Sequence, residues 1–385
     1  MPVSAARVVI ISIFLIGGML LAGVIMQPEA SLQAWDVRES DFPANSSQED
    51  RLAFLIRYAI LAPSSHNSQP WKFNVSEDRI LIYADEKRGL SVADPDQREM
   101  HISLGCALEN LVIAAEHFGY SSNITYFPGE KDLVAEVELQ SAAIPESDAN
   151  SILFSAIKSR QTNRNPYQAR SITDADMHEL YSTAGHKSSR HRESLFNATL
   201  PAAAVFLSND SAIIESFRRL VVQADDIHYS DADYKAELGR WLGQGSLGPT
   251  GLQAKAAQLE LVFLDMGPQE TAKDAELINS TPYIGFVCTE RISENANSSA
   301  YATRISAVIA GRTFERFWLA ATARGLSLQP MSQALEVQET KEKLFGLLPS
   351  GSGNMSEVQQ TFRLGYAANE GKHTPRRPLE GTIES

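Results

Sequence analysis

The stretch GCALENLVIAAEHFG, Gly105 to Gly119, returns in altered form as GRTFERFWLAATARG, Gly311 to Gly325. Gly, Glu, Ala, Ala and Gly recur at the same relative positions: Gly105 with Gly311, Glu109 with Glu315, Ala114 with Ala320, Ala115 with Ala321, Gly119 with Gly325. Each lies in a long apolar-periodic helix, His101–Tyr120 and Arg304–Gly325. Two unrelated core helices could share alanines by chance. A duplicated unit is the other reading, because both helices hold the same place in a helix–strand series. Paired glycines would then let two such backbones approach closely.

Outward from these helices, a helix begins at Gln48 and stops before Pro63, and another spans Ser151–Arg160. Short apolar runs read as strands at Arg79–Tyr83, Val134–Leu139, Ala203–Leu207, Leu259–Leu264, Tyr283–Thr289 and Phe362–Tyr366. Residues 28–47 are polar, with Pro28 and Pro43, and read as a tether. Before them, Val8 to Met26 carries no charge. As a helix it measures about 28 Å, close to the ~30 Å hydrocarbon core of a bilayer. It reads as a transmembrane anchor, or as a cleaved signal, within residues 1–27. Arg7 before it orients the body outside the cytoplasm, either membrane-anchored or, after cleavage, secreted or periplasmic.

The net charge of -13 disfavours nucleic acid as a partner, since an acidic surface repels phosphates. The two cysteines, Cys106 and Cys288, sit in apolar runs and form neither a disulfide framework nor a zinc site. The histidines show no metal-ligand spacing, so no metal is expected. Gly243-Gln244-Gly245-Ser246-Leu247-Gly248 fits a dinucleotide fingerprint in letters only. A charged helical segment precedes it where the fingerprint needs a buried strand. A flexible glycine loop, able to cover a planar ligand, is the better reading.

Two segments carry chemistry. Ala62-Pro63-Ser64-Ser65-His66-Asn67-Ser68-Gln69-Pro70-Trp71 follows a helix end with hydroxyls, an imidazole and two amides between prolines. Amides both donate and accept, which suits the edge of a flat heterocycle. A plain polar turn has the same composition. Arg160-Gln161-Thr162-Asn163-Arg164 sets two guanidinium forks around a hydroxyl and an amide. Such forks match phosphate oxygens, though a solvated basic turn at a helix end reads alike.

Together the segments resemble the nitroreductase superfamily. APSSHNSQPW is similar to that family's APSxxNxQPW motif. RQTNRNPY is similar to its phosphate motif, with Thr162 where Ser is usual and Gln161 in place of a second Arg. TPRRPLE, at Thr374–Glu380, is similar to its basic C-terminal segment. The arginine motif here follows the APS motif, and no second APS motif comes after Arg160. That order resembles the Acg-like branch, in which two degenerate repeats mimic a dimer within one chain.

The resemblance implies an α+β fold of two fused repeats, 48–150 and 151–385, forming a pseudo-dimer around central long helices. It implies FMN held by Ser64, Ser65, Asn67, Gln69, Arg160, Thr162, Asn163, Arg164, Gln329 and Arg376. Asn67, Gln69 and Asn163 would polarise the ring, and no separate catalytic residue is required. The implied activity is oxidoreduction of a small-molecule electron acceptor by a monomer. An FMN-sequestering protein with little turnover and a membrane-tethered interaction protein with a degenerate site are the alternatives.

Overall fold

The computed structural model describes residues 31–142, 145–185, 191–195, 200–290, 299–348 and 354–384. Eleven helices of the α type fall in these residues: α1 Gln48–Ala59, α2 Arg98–His117, α3 Asp148–Ile157, α4 Asp174–Gly185, α5 Ser211–Ser230, α6 Ala232–Gly243, α7 Gly251–Phe263, α8 Gly267–Asn279, α9 Ser299–Ala323, α10 Gln333–Glu336 and α11 Gln338–Leu344. The strands are β1 Trp71–Ser76, β2 Arg79–Ala84, β3 Tyr120–Tyr126, β4 Leu133–Ser141, β5 His191–Leu195, β6 Ala203–Ser208, β7 Tyr283–Glu290, β8 Ser327–Pro330 and β9 Met355–Gly365. They make two sheets, ordered β1-β2-β4-β3-β5 and β6-β7-β9-β8. The chain passes from one sheet to the other between Leu195 and Ala203. All pairings are antiparallel except β3 with β5, so the fold is α+β.

Helices α2 and α9 lie against one another at the centre of the molecule. Every residue of α2 from Arg98 to Glu116 is buried, which explains an apolar content spread around the whole helix. The two glycines set the approach. A Cβ on Gly105 would stand 2.1 Å from the Val308 carbonyl oxygen, and one on Gly311 would stand 2.1 Å from that of Ile102. These contacts exchange under the shift that carries Gly105 onto Gly311, the signature of a two-fold relation between like surfaces. Both helices also stop alike. Gly119 (φ +86°) and Gly325 (φ +70°) are left-handed, and each leads into a strand, β3 or β8.

Two expectations need correction. Among the described residues no helix is long and apolar enough to cross a membrane. The transmembrane helix, and with it the membrane anchor and the placement of the body beyond a membrane, is therefore not carried forward. The run from Val8 to Met26 itself lies outside the described residues. The longest described helices fail as spans because they carry charges, Arg98, Glu99, Glu109 and Glu116 in α2, and Arg304, Arg312, Glu315 and Arg316 in α9. Several of these pair inside the protein. The strand expected at Leu259–Leu264 is instead the last turns of α7. Its apolar letters misled because Leu259, Phe263 and Leu264 are exposed rather than core.

Residues 31–42 pack on the body. Trp35 and Val37 are buried, and the Trp35 indole stacks on His373 with centroids 3.9 Å apart. Ser31 forms an isolated bridge with Arg376, and Ile383 bridges to Phe73 on β1. The C-terminal segment thus returns to the edge of the first sheet and reaches the loop that follows α1.

Candidate functional site

A cavity of about 520 Å³ opens where this loop, the arginine segment, the tail and helices α6–α8 meet. Ser64, Ser65, Asn67, Arg160, Thr162, Arg164, Gln329 and Arg376 all line it. Gln69 and Asn163 stand behind the wall and do not.

The loop is locally strained. After Pro63 the chain makes a short 3-10 turn, Ser65–Asn67, and His66, Asn67 and Gln69 take φ of +48°, +49° and +52°. Non-glycine residues held there cost on the order of 1–3 kcal/mol each, and such costs persist only where surrounding bonds impose them. Those bonds are present. Asn67 Nδ2 donates to the carbonyls of Ser246 (2.7 Å) and Pro375 (2.8 Å), while its Oδ1 accepts from Arg376 Nη1 at 3.0 Å. Gln69 Oε1 accepts from the Arg377 backbone at 2.7 Å, and its Nε2 donates to the Asn67 carbonyl. Ser64 Oγ accepts from the Gln69 backbone, and Ser65 Oγ donates to Glu99. Asn163 donates to Ser327 Oγ and the Asn369 carbonyl, and accepts from Asn165. The three amides expected to face a heterocycle are therefore occupied in fixing the loop, the tail and the arginine segment to one another.

The loop between α6 and α7 contributes Ser246, which is buried, and Leu247, which lines the cavity. It depends on glycine at Gly245 (φ +81°) and Gly248 (φ +125°), conformations that L side chains rarely adopt.

The cations are arranged unequally. Arg160 is buried, and its Nη2 donates to the Leu61 carbonyl at 2.7 Å. Arg376 Nη2 donates to the same oxygen at 3.0 Å. Their rings of contact are aromatic, with Trp318 4.7 Å from Arg160 and Trp35 4.8 Å from Arg376. Both Nε atoms are buried without a hydrogen bond among the described residues. Burial, and then the like charge of Arg160, holds the Arg376 guanidinium well below its ordinary proton affinity. Glu315 lies 3.2 Å from Arg160 Nε but is not aligned to accept from it. Burial pushes its carboxyl up to about 7, against the pull of Arg160 and Arg376.

Arg164 differs. It is exposed and lines the cavity. Among the described residues no hydrogen bond or ion pair engages its guanidinium. Thr162 bridges to Leu328, which sets the arginine segment beside β8 and Gln329. Gln329 Oε1 accepts from Arg363 at 2.7 Å.

Sequence reasoning missed several lining residues. Trp35 stood in a segment read as a tether, where a lone Trp was the available signal. Glu99, Tyr234, Glu336 and His373 belong to no motif. They reach the cavity only through the packing of α2, α6, α10 and the tail.

No family model matches the chain. By sequence it is similar to the provisionally named NAD(P)H nitroreductase Rv3131 of Mycobacterium tuberculosis (strain ATCC 25618 / H37Rv). The two are 26% identical over 334 residues, 86% of this chain and 90% of that one. It is 23% identical over 339 residues to acg of the same strain, another provisionally named NAD(P)H nitroreductase, across 86% of this chain and 94% of the relative. Among solved structures, the FMN-dependent nitroreductase NfnB from Mycobacterium smegmatis, in complex with NADPH, aligns at 16% identity with a TM-score of 0.37. That alignment covers 62% of this chain and 99% of that one, and at such a score it carries no argument.

Proposed function

We propose that this chain, which resembles the nitroreductase superfamily and its Acg-like branch over most of its length, is an FMN-dependent oxidoreductase acting on a small molecule. The observation that carries the reading is the set of cations around the cavity. Arg160 and Arg376 converge on one carbonyl with buried Nε donors left over, and Arg164 offers a guanidinium without a partner among the described residues. Two buried guanidiniums share the single Glu315 carboxyl between them, Arg164 adds a third cation at the cavity wall, and guanidinium forks match phosphate oxygens. The residues therefore fit the phosphate of FMN.

In this reading Arg160, Arg164 and Arg376 hold the phosphate, with Thr162 adding a hydroxyl donor. Ser64, Ser65 and Gln329 border the ring system. Asn67, Gln69 and Asn163 act one step back, keeping the loop and the two chain segments in place. Ile102, Pro63 and Phe314 give the cavity apolar wall against which a planar ring can pack. FMN supplies the redox chemistry when bound, and the protein supplies binding, orientation and exclusion of water. The reductant is a nicotinamide and the oxidant a small electron acceptor, handled by one chain with one site between its two repeats.

A second reading, storage of FMN with little turnover, draws on the cover formed by the α6–α7 loop. Leu247 of that loop lines the cavity, and the Asn67 bond to the Ser246 carbonyl ties the loop to the site.

The purified chain is expected to show flavin absorbance or to take up added FMN. A protein that stays colourless with FMN overturns both readings. Arg164→Ala should weaken FMN binding roughly 10- to 150-fold, the equivalent of about 1.5–3 kcal/mol for a charge-assisted bond. The exposed Arg219, changed in the same way, should have no effect. Equal losses in both variants would mean that only net charge matters. Turnover with NADH or NADPH then separates enzyme from store.

A further inference from the structure

Glu336 ends α10, far from every motif, and lines the cavity with its side chain only 6% exposed. Its Oε2 has no hydrogen-bond partner among the described residues. The nearest basic group is His228 Nε2 from α5, 3.6 Å away, and the His228 ring is stacked on Tyr234 with centroids 4.1 Å apart and planes at 5°. Tyr234 and His66 also line the cavity.

The charges facing Glu336 are mostly of its own sign. Glu99 comes from α2, Asp94 from the turn before it and Asp225 from α5. The cation among them, Arg98, is committed to Glu99 at 2.8 Å and to the Gln359 carbonyl. Burial, then Glu99, pushes the Glu336 carboxyl well above the usual carboxylate range. Burial lowers His228 to about 4. Buried among like charges, with no hydrogen-bond donor on Oε2 among the described residues, Glu336 is in surroundings that favour its neutral, protonated form.

We propose that Glu336 is the proton donor of the cavity, acting on an acceptor, such as a neutral carbonyl compound, that takes up a proton along with a hydride. This rests on the oxidoreductase reading above. The acceptor receives a hydride from the reduced cofactor, so a C–H bond forms and the carbonyl π pair moves onto oxygen. The Glu336 O–H bond breaks as an O–H bond forms to that oxygen. The carbonyl compound is reduced by two electrons, the cofactor is oxidised by the same two, and Glu336 is left as a carboxylate. It regains its proton from water once per turnover.

The test compares the full chain with Glu336→Gln, and with the exposed Glu339→Gln as control. Infrared difference spectra near neutral pH, parent minus E336Q, should show the carbonyl stretch of one protonated carboxyl, absent from parent minus E339Q, while other raised carboxyls such as Glu315 cancel. Flavin uptake should be equal in all three. Reoxidation of the reduced protein by a neutral carbonyl acceptor should slow about 100-fold or more in E336Q, the usual size of a general-acid contribution. Its fall at high pH should also disappear in that variant. If the parent-minus-E336Q band is absent, Glu336 is ionised and the proposal is overturned. If the band is present but E336Q reoxidises at the normal rate, Glu336 is not the donor. A chain that takes up no flavin defeats the underlying reading, and the donor role with it.

Discussion

Glu109 and Glu315 hold the same place in the two central helices, and their surroundings are opposite. Glu109 accepts from Arg312 Nε at 2.8 Å and from Arg316 Nε at 2.6 Å, while Arg312 also reaches Glu193 and Tyr126. Burial alone would raise its carboxyl, but Arg316 and then Arg312 outweigh it and bring it to about 2. Glu315 is fully buried, neither of its oxygens has a hydrogen bond among the described residues, and its carboxyl rises to about 7. One carboxylate is a closed structural pin. The other lies under the two arginines that border the cavity. A repeated helix has thus been finished with arginines from the opposing helix at one end. In the other helix the matching glutamate is served instead by Arg160 and, from the tail, Arg376.

The contrast can be broken most forcefully at Glu109. Glu109→Gln should cost about 3–5 kcal/mol of stability, since it removes the carboxylate from a buried ion-pair cluster. The denaturant midpoint near neutral pH checks this. Because the folded value lies below the unfolded one, the contribution of Glu109 is complete above about pH 4.5 and is lost as pH falls through about 2. A midpoint unchanged in E109Q would show the pin to be dispensable.

Glu315 should behave in reverse. Its folded value is raised, so the folded state binds the extra proton and stability declines as pH climbs from about 4.5 through about 7. The slope is at most about 1.4 kcal/mol per pH unit for one proton. Chemical denaturation across that window should show the decline in the parent chain and a flatter profile in Glu315→Gln. Identical profiles would remove the asymmetry between the two carboxylates.

The smallest effect concerns what the two ends share. Gly105→Ala and Gly311→Ala each push a Cβ against a backbone carbonyl at 2.1 Å. Overpacking costs about 1–3 kcal/mol, offset by up to ~1 kcal/mol of helix propensity. Thermal midpoints should drop by similar amounts in both variants. A drop in only one would mean that the helix contact is not the two-fold it resembles.

The helix glycines and the glutamate between them were legible in the sequence because a close backbone approach leaves no alternative residue. The arginine segment and the APS loop were legible as neighbours of one cavity, through motif letters rather than through physics. The use made of Asn67, Gln69 and Asn163 was not. An amide's partners are decided by chain segments hundreds of residues away, here Ser246, Pro375 and Asn369. The left-handed turn at His66 was hidden for the same reason, since nothing local favours it. Glu336 gave no signal because its environment is assembled from α2, α5 and α10. The run at Leu259–Leu264 misled in the other direction, its exposed apolar side chains imitating a core strand.

The bond from Arg376 to Asn67 also fixes an order of events during synthesis. Asn67 leaves the ribosome well before the residues that satisfy it, Pro375 and Arg376, which lie 308 and 309 residues further along the chain. Arg376 joins Arg160 on the Leu61 carbonyl only then. Contacts so distant along the chain form late, after the local helices and hairpins. The anion site is therefore expected to close only once the segment around Arg376 has been made, so that a chain cut before Thr374 would fold much of its core and still lack the means to keep a phosphate ligand.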